Sequence, residues 1–111
     1  MKPNVFYEEI KHAGFPVAEA EFKKNGQTPL PKPPYLITLK AVDRSISANG
    51  KRVLPITSIT LELYTDKTDV KSQSQLESWL IENRVKFTMK ERFWIESENF
   101  YQTVYEVTLH E

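Results

Sequence analysis

No cysteine occurs in the 111 residues, and glycine occurs only three times. The first absence excludes a disulfide framework, thiolate zinc sites and thiol chemistry, and it suits a reducing compartment. The second leaves Gly14, Gly26 and Gly50 too scattered to build a phosphate-cradling loop. Charge of one sign is also missing: 15 Lys plus Arg stand against 15 Asp plus Glu. A dedicated nucleic-acid binder rests on surplus cations facing phosphate, so that class loses its main driving force. No apolar run approaches the ~20 residues of a membrane span, and MKPNVFYEEIKHAG has no signal-peptide core. A chain that is soluble and intracellular when made is the expectation. Its length suits one domain, 1–111, with a core of its own.

What is present reads as alternating helix and strand signals. Asn4 to Ala13 predicts a short helix with Phe6 and Ile10 on one stripe, Asn4 as its cap, Gly14 as a left-handed stop and Pro16 beyond it. Val17 to Phe22 alternates imperfectly and predicts a short strand at a sheet edge. Residues 23–34, KKNGQTPLPKPP, hold four of the seven prolines and predict an irregular loop. From Tyr35 the period is two, and the strand returns by way of Asn49-Gly50, a pair suited to a type I′ turn, to end at Tyr64. The phase slip between Ile56 and Ile59, just after Pro55, predicts a bulge or break there. Asp69 can cap a second helix that carries Leu76, Trp79 and Leu80 and ends near Asn83. Val85, Phe87, Met89, Phe93 and Ile95 share one parity, and Tyr101 to Leu109 alternate in turn, which predicts a closing hairpin with Glu96 to Asn99 as its turn. The expected fold is α+β. Two amphipathic helices pack on one face of a mainly antiparallel sheet of four to five strands, in the order αβββαββ.

No constellation calls for catalysis. His12 and His110 lie at opposite ends without neighbouring ligands, and Ser45, Ser47 and Ser97 lack a nucleophile elbow. Asp66 and Asp69 lack the glycine and closing glutamate of a calcium loop, so helix capping explains them. Glu96 and Glu98 sit on a solvated hairpin tip, where nothing separates an acid from a base. Neither an enzyme nor a cofactor is expected. The aromatic residues are more informative. Trp94 shares a parity with Lys90 and Arg92, opposite to Phe93 and Ile95, and Tyr64 is opposite to Leu61 and Leu63. If the odd positions face the helices, Trp94 and Tyr64 lie outside, and Trp and Tyr beside Arg have the composition of a protein-contact surface. A small binding or regulatory domain that touches single-stranded nucleic acid is the alternative use of such a face.

The stretch Glu62-Leu63-Tyr64-Thr65-Asp66-Lys67-Thr68-Asp69, followed by a helix and by Trp94-Ile95-Glu96-Ser97-Glu98-Asn99-Phe100-Tyr101-Gln102-Thr103-Val104-Tyr105-Glu106-Val107, resembles small head–tail joining or tail terminator proteins. These are encoded by long-tailed phages and prophages of Gram-positive bacteria. Gly14-Phe15-Pro16-Val17 and Pro33-Pro34-Tyr35 agree with the same pattern. The second helix departs from it, opening on Asp69-Val70 where the family often has a proline, and the loop 23–34 is longer. The resemblance implies a virion protein assembled in the host bacterial cytoplasm. It would form a ring, commonly a hexamer, on the tail end, with the major tail protein and the head connector as partners. No family site carries over residue by residue. The candidate contacts are the hairpin tip with Arg44, Lys51 and Arg52, the proline-rich loop with Pro31 and Pro33, and Arg92 with Trp94 on the last hairpin.

Overall fold

The computed structural model describes residues 1–19, 32–39, 42–43, 47–48, 51–52 and 56–110, with the backbone alone at 19, 42–43, 47–48, 51–52 and 110. The first helix, α1 (Pro3–Glu9), opens with proline at its first position, where the missing N–H has no helical partner to lose. Asn4 therefore lies inside the helix rather than capping it. The chain then tightens into a 3₁₀ turn (Ile10–Ala13) that Gly14 ends at φ 100°, the left-handed stop expected of it. Strands β1 (Val17–Glu19), β2 (Tyr35–Thr38), β3 (Val42–Asp43), β4 (Ser47–Ala48), β5 (Lys51–Arg52) and β6 (Ile56–Thr65) precede the second helix, α2 (Ser72–Glu82). Strands β7 (Lys86–Ile95) and β8 (Phe100–His110) close the chain.

The main sheet runs β1-β2-β6-β8-β7, with β3 also paired to β6. Among the described residues strand β1 lies at an edge as its weak pattern predicts, but it is parallel to β2, so the sheet is mixed. The order also differs from αβββαββ, because three short strands stand between β2 and β6. Among the described residues two of them, β4 and β5, pair only with each other, Ala48 opposite Lys51, which leaves two residues to connect them. The predicted Asn49-Gly50 turn lies outside the described residues.

Both helices cover one face. Phe6, Ile10, Leu76 and Leu80 meet Leu36, Ile59, Leu61, Leu63, Tyr105, Val107 and Leu109 in one core. Each such side chain contributes about 1.5–3 kcal/mol by leaving water. The start of α2 is held by Asp69, whose carboxylate accepts the Lys71 and Ser72 N–H groups at 3.0 and 2.9 Å and the Ser72 hydroxyl at 2.5 Å. Partial burial works against this charge, yet those bonds outweigh it and hold the carboxyl below its ordinary range. The C-terminus closes as a Schellman motif. Arg84 N–H reaches Ile81 O and Val85 N–H reaches Leu80 O, with Arg84 itself at φ 56°.

The bulge lies elsewhere than expected. Strand β6 pairs with β8 without interruption from Ile56 to Thr65, so Ile56 simply faces away from the helices and no slip occurs between it and Ile59. Strand β7 is the one that slips. Met89 lies opposite Tyr105 and Glu91 opposite Val104, which leaves Lys90 as an extra residue. Parity reverses at that point, so Arg92 and Trp94 join Phe87 and Met89 on the helix side, while Phe93 and Ile95 turn to the far side. Deleting Lys90 removes only the unpaired residue and the exposed 3.9 Å contact of Lys90 with Glu106. Because such surface pairs contribute about 0–1 kcal/mol, the deletion is expected to change the unfolding free energy by no more than ~1 kcal/mol in urea titration. A larger loss would mean that Lys90 is not the inserted residue.

Candidate protein-contact surface

The face turned away from the helices is not an exposed aromatic platform. Tyr64, expected outside, is 1% exposed, as is Tyr35, and Ile37 is fully buried beside them. Tyr35 and Tyr64 stack at 4.8 Å with planes 14° apart, and Phe100 meets them edge-on at 6.3 and 5.7 Å. The polar edge of this second core is closed by Glu62, which accepts the Tyr64 hydroxyl at 3.0 Å and the Gln102 amide at 2.5 Å. Burial, then the neighbouring Glu62 carboxylate, push the Tyr64 phenol far above its ordinary value. Burial, with Glu98 and Glu62 nearby, raises Tyr35 as well. On the helix side Tyr105 is fully buried and donates to Glu77 at 2.8 Å, and burial together with that bond raises its phenol too. All three phenols are therefore neutral, and those of Tyr64 and Tyr105 donate to half-buried carboxylates. Among the described residues every buried side-chain polar atom has a partner, and no three His, Asp or Glu residues converge on one point.

Aromatic surface is found at the free end of the β7–β8 hairpin. Beyond the N-terminus of α2, which lies by Met89, no helix among the described residues is placed over the helix-side face of the sheet. There the Arg92 guanidinium lies 3.8 Å over the Tyr101 ring, and Trp94 meets the same ring edge-on at 4.9 Å. Trp94 and Tyr101 are half-buried, and Arg92 is exposed. A cation over an aromatic face gains from the ring quadrupole and holds the guanidinium fork in one place. On the far side Phe93 is 40% exposed, next to half-buried Ile95 and Phe100. The hairpin end thus carries rings on both faces, since neighbours in a strand alternate, and the bulge decides that Trp94 takes the helix side and Phe93 the far side. Its turn is set by Asn99, at φ 63°, whose N–H reaches Ile95 O at 2.8 Å.

Among the described residues no strand pairs with the outer side of β7, which is therefore a sheet edge. Its bulge and its charges, Lys86, Lys90, Glu91 and Arg92, discourage indiscriminate strand addition. What this edge presents is therefore its side chains. Of the residues singled out in the sequence, Arg92 and Trp94 are brought together, and Tyr101 joins them. Met89 belongs with them as well: it is 47% exposed on the same strand and face, and its sulfur accepts the Gln73 amide at 3.3 Å. Uninterrupted alternation places Met89 in the core, which hides it from a sequence reading. The lone charge at Glu91, in an otherwise apolar parity, is the signal for the bulge. Pro33 is half-buried, and its peptide bond to Pro34 is cis. Pro31 and Arg44 lie outside the described residues. Lys51 and Arg52 are placed by backbone alone, in β5. No described helix is long and apolar enough to cross a membrane. The chain matches no protein-family profile, and no curated protein is significantly similar to it.

Proposed function

We propose that this chain is a virion structural adaptor of a long-tailed phage or prophage. It acts as a tail terminator or head–tail joining subunit that assembles as a ring at the tail end and binds the major tail protein and the head connector. The observation that supports this reading is the Arg92–Tyr101–Trp94 cluster. It is an arginine and two large rings gathered at an edge of the sheet, the residue types that carry most binding energy in protein interfaces. Charge balance agrees, since surfaces that meet copies of themselves and other proteins need no excess of either sign.

In this reading the protein makes and breaks no covalent bond. A heterologous contact repeats from copy to copy until rotation closes the ring, and a closed ring offers the tail tube no template for further growth. Each contact needs to bury about 1,000 Å² or more to persist in solution. The test is electron microscopy of particles produced without the protein. Tails of abnormal length or tails detached from heads are expected, and tails of regulated length joined to full heads would dismiss the reading.

A further inference from the structure

The contact surface on β7 has a counterpart at the opposite edge of the same sheet. Between α1 and β1 lies a hollow of about 260 Å³ lined by Tyr7, Glu8, Lys11, Val17, Ala18 and Thr38. That volume is below the ~300–1,000 Å³ of small-molecule sites, so the hollow suits one or two protruding side chains. Its walls are Tyr7, Val17 and Ala18, and Glu8 and Lys11 form an exposed ion pair at 3.6 Å on the helix beside it.

The geometry points to this hollow as the seat for Met89 and Arg92 of a second copy of the chain, joined head to tail. Three observations carry the assignment. The strand order places β1 and β7 at opposite edges, with the α1 side of the hollow and the Met89–Arg92 pair on the same face. The pairing also puts them at one height, since Arg92 is opposite Thr103, Thr103 opposite Leu63, Leu63 opposite Leu36, and Leu36 opposite Val17. Met89 reaches Thr38 in the same way, through Tyr105 and Leu61. A copy moved sideways by one sheet width therefore brings Arg92 to the level of Val17 and Met89 to the level of Thr38, with no slide along the strands. The chemistry is complementary too. Arg92 has no carboxylate partner among the described residues and meets Glu8, sharing that carboxylate with Lys11, while Met89, exposed at the level of Thr38, meets the Tyr7 ring.

Because β7 runs opposite to β1, the two edges approach antiparallel, and the three-residue length of β1 leaves the contact to side chains. The contact is heterologous, so it generates rings or open chains and no two-fold dimer. It rests on the proposed reading in that it names the surfaces through which copies would close the ring.

Two exposed charges supply the test, with Lys11 unchanged beside position 8 in every variant. Arg92→Glu and Glu8→Arg each set like charges against one another at every contact, so each variant alone is expected to associate at least about tenfold more weakly in sedimentation velocity. In a 1:1 mixture the acidic position 92 of one variant meets the basic position 8 of the other, and the unaltered Arg92 meets the unaltered Glu8. Opposite charges then face each other at every mixed contact, and the mixture is expected to regain the mass of the native protein. The natural absence of cysteine adds a second measurement that captures even weak contacts. The double variant Glu8→Cys/Arg92→Cys, on mild oxidation, is expected to give a ladder of covalent multimers, since the two positions lie at opposite edges of one copy. Variants that associate like the native chain, a mixture that regains nothing, or single chains after oxidation would overturn the assignment. Native protein that assembles without the 8–92 cross-link removes this contact and leaves the adaptor reading standing. A cross-linked ladder alongside normal particles in the protein's absence does the reverse.

Discussion

Tyr64→Ala is expected to lower the unfolding free energy by about 3–5 kcal/mol, read as a shift of the urea midpoint at unchanged slope. The ring is almost wholly buried, stacks on Tyr35 at 4.8 Å and meets Phe100 edge-on at 5.7 Å, so truncation leaves a cavity between two aromatic partners. It also removes the hydroxyl that reaches Glu62 at 3.0 Å. A ring standing in solvent as a docking platform would change stability by no more than about 0.5 kcal/mol when removed, so the measurement separates core from contact surface on this face. Tyr64→Phe keeps the ring and loses only the hydrogen bond to a carboxylate, for an expected ~1–3 kcal/mol. The same residues govern the alkaline limb. The phenols of Tyr35, Tyr64 and Tyr105 are all raised by burial in the folded state, whereas in the unfolded chain they lose their protons near pH 10. The folded protein then holds more protons than the unfolded one, and stability present below about pH 10 falls as pH rises above it. Tyr64→Phe is expected to make that fall shallower, and an unchanged slope would show that Tyr64 is not buried in its neutral form.

Gly14→Ala is expected to cost about 1–3 kcal/mol, which for a domain of this size moves the melting temperature by several degrees or more. Two effects act at the same atom. The backbone sits at φ 100°, a region that a side chain strains, and a Cβ there would run into the Gln75 amide nitrogen. That amide donates to Ala13 O at 2.9 Å and ties the end of the first helical segment to α2 across 62 residues of sequence. The two contributions separate in a double-mutant cycle with Gln75→Ala. With the amide gone the collision disappears and the φ strain stays, so Gly14→Ala is expected to cost at least ~0.5 kcal/mol less in that background. Equal costs in both backgrounds would show that Gln75 does not approach Gly14.

The parts of this fold that were legible in the sequence are those fixed by neighbours along the chain. Gly14 announced its own turn, Asp69 the start of α2, which it holds from two residues before the N-cap Lys71, and Leu76 and Leu80 the buried stripe of α2, because helix periodicity and turn hydrogen bonds act within one or two turns. The alternation of β8, from Tyr101 to Leu109, likewise predicted which side would meet the helices. The candidate contact surface was legible only in its composition. Arg92 and Trp94 stand out together in the sequence and are together in the fold, but on the helix side rather than the far side, because strict alternation does not hold through Glu91. The same break displaces Phe93, which leaves the expected core for the hairpin's exposed end.

Composition and local pattern by themselves determined that this is a cysteine-free, charge-balanced α+β chain with two helices on one side of a sheet. Only the tertiary structure decided which rings are core. Burial on the far side of Tyr64 depends on Tyr35 and Phe100 arriving from strands 29 and 36 residues away, and no periodicity within β6 encodes their arrival. The parallel seat of β1 and the single inserted residue in β7 were settled in the same way. Pairing partners, not side-chain preference, set strand direction and register, and each partner is chosen by packing across the whole sheet.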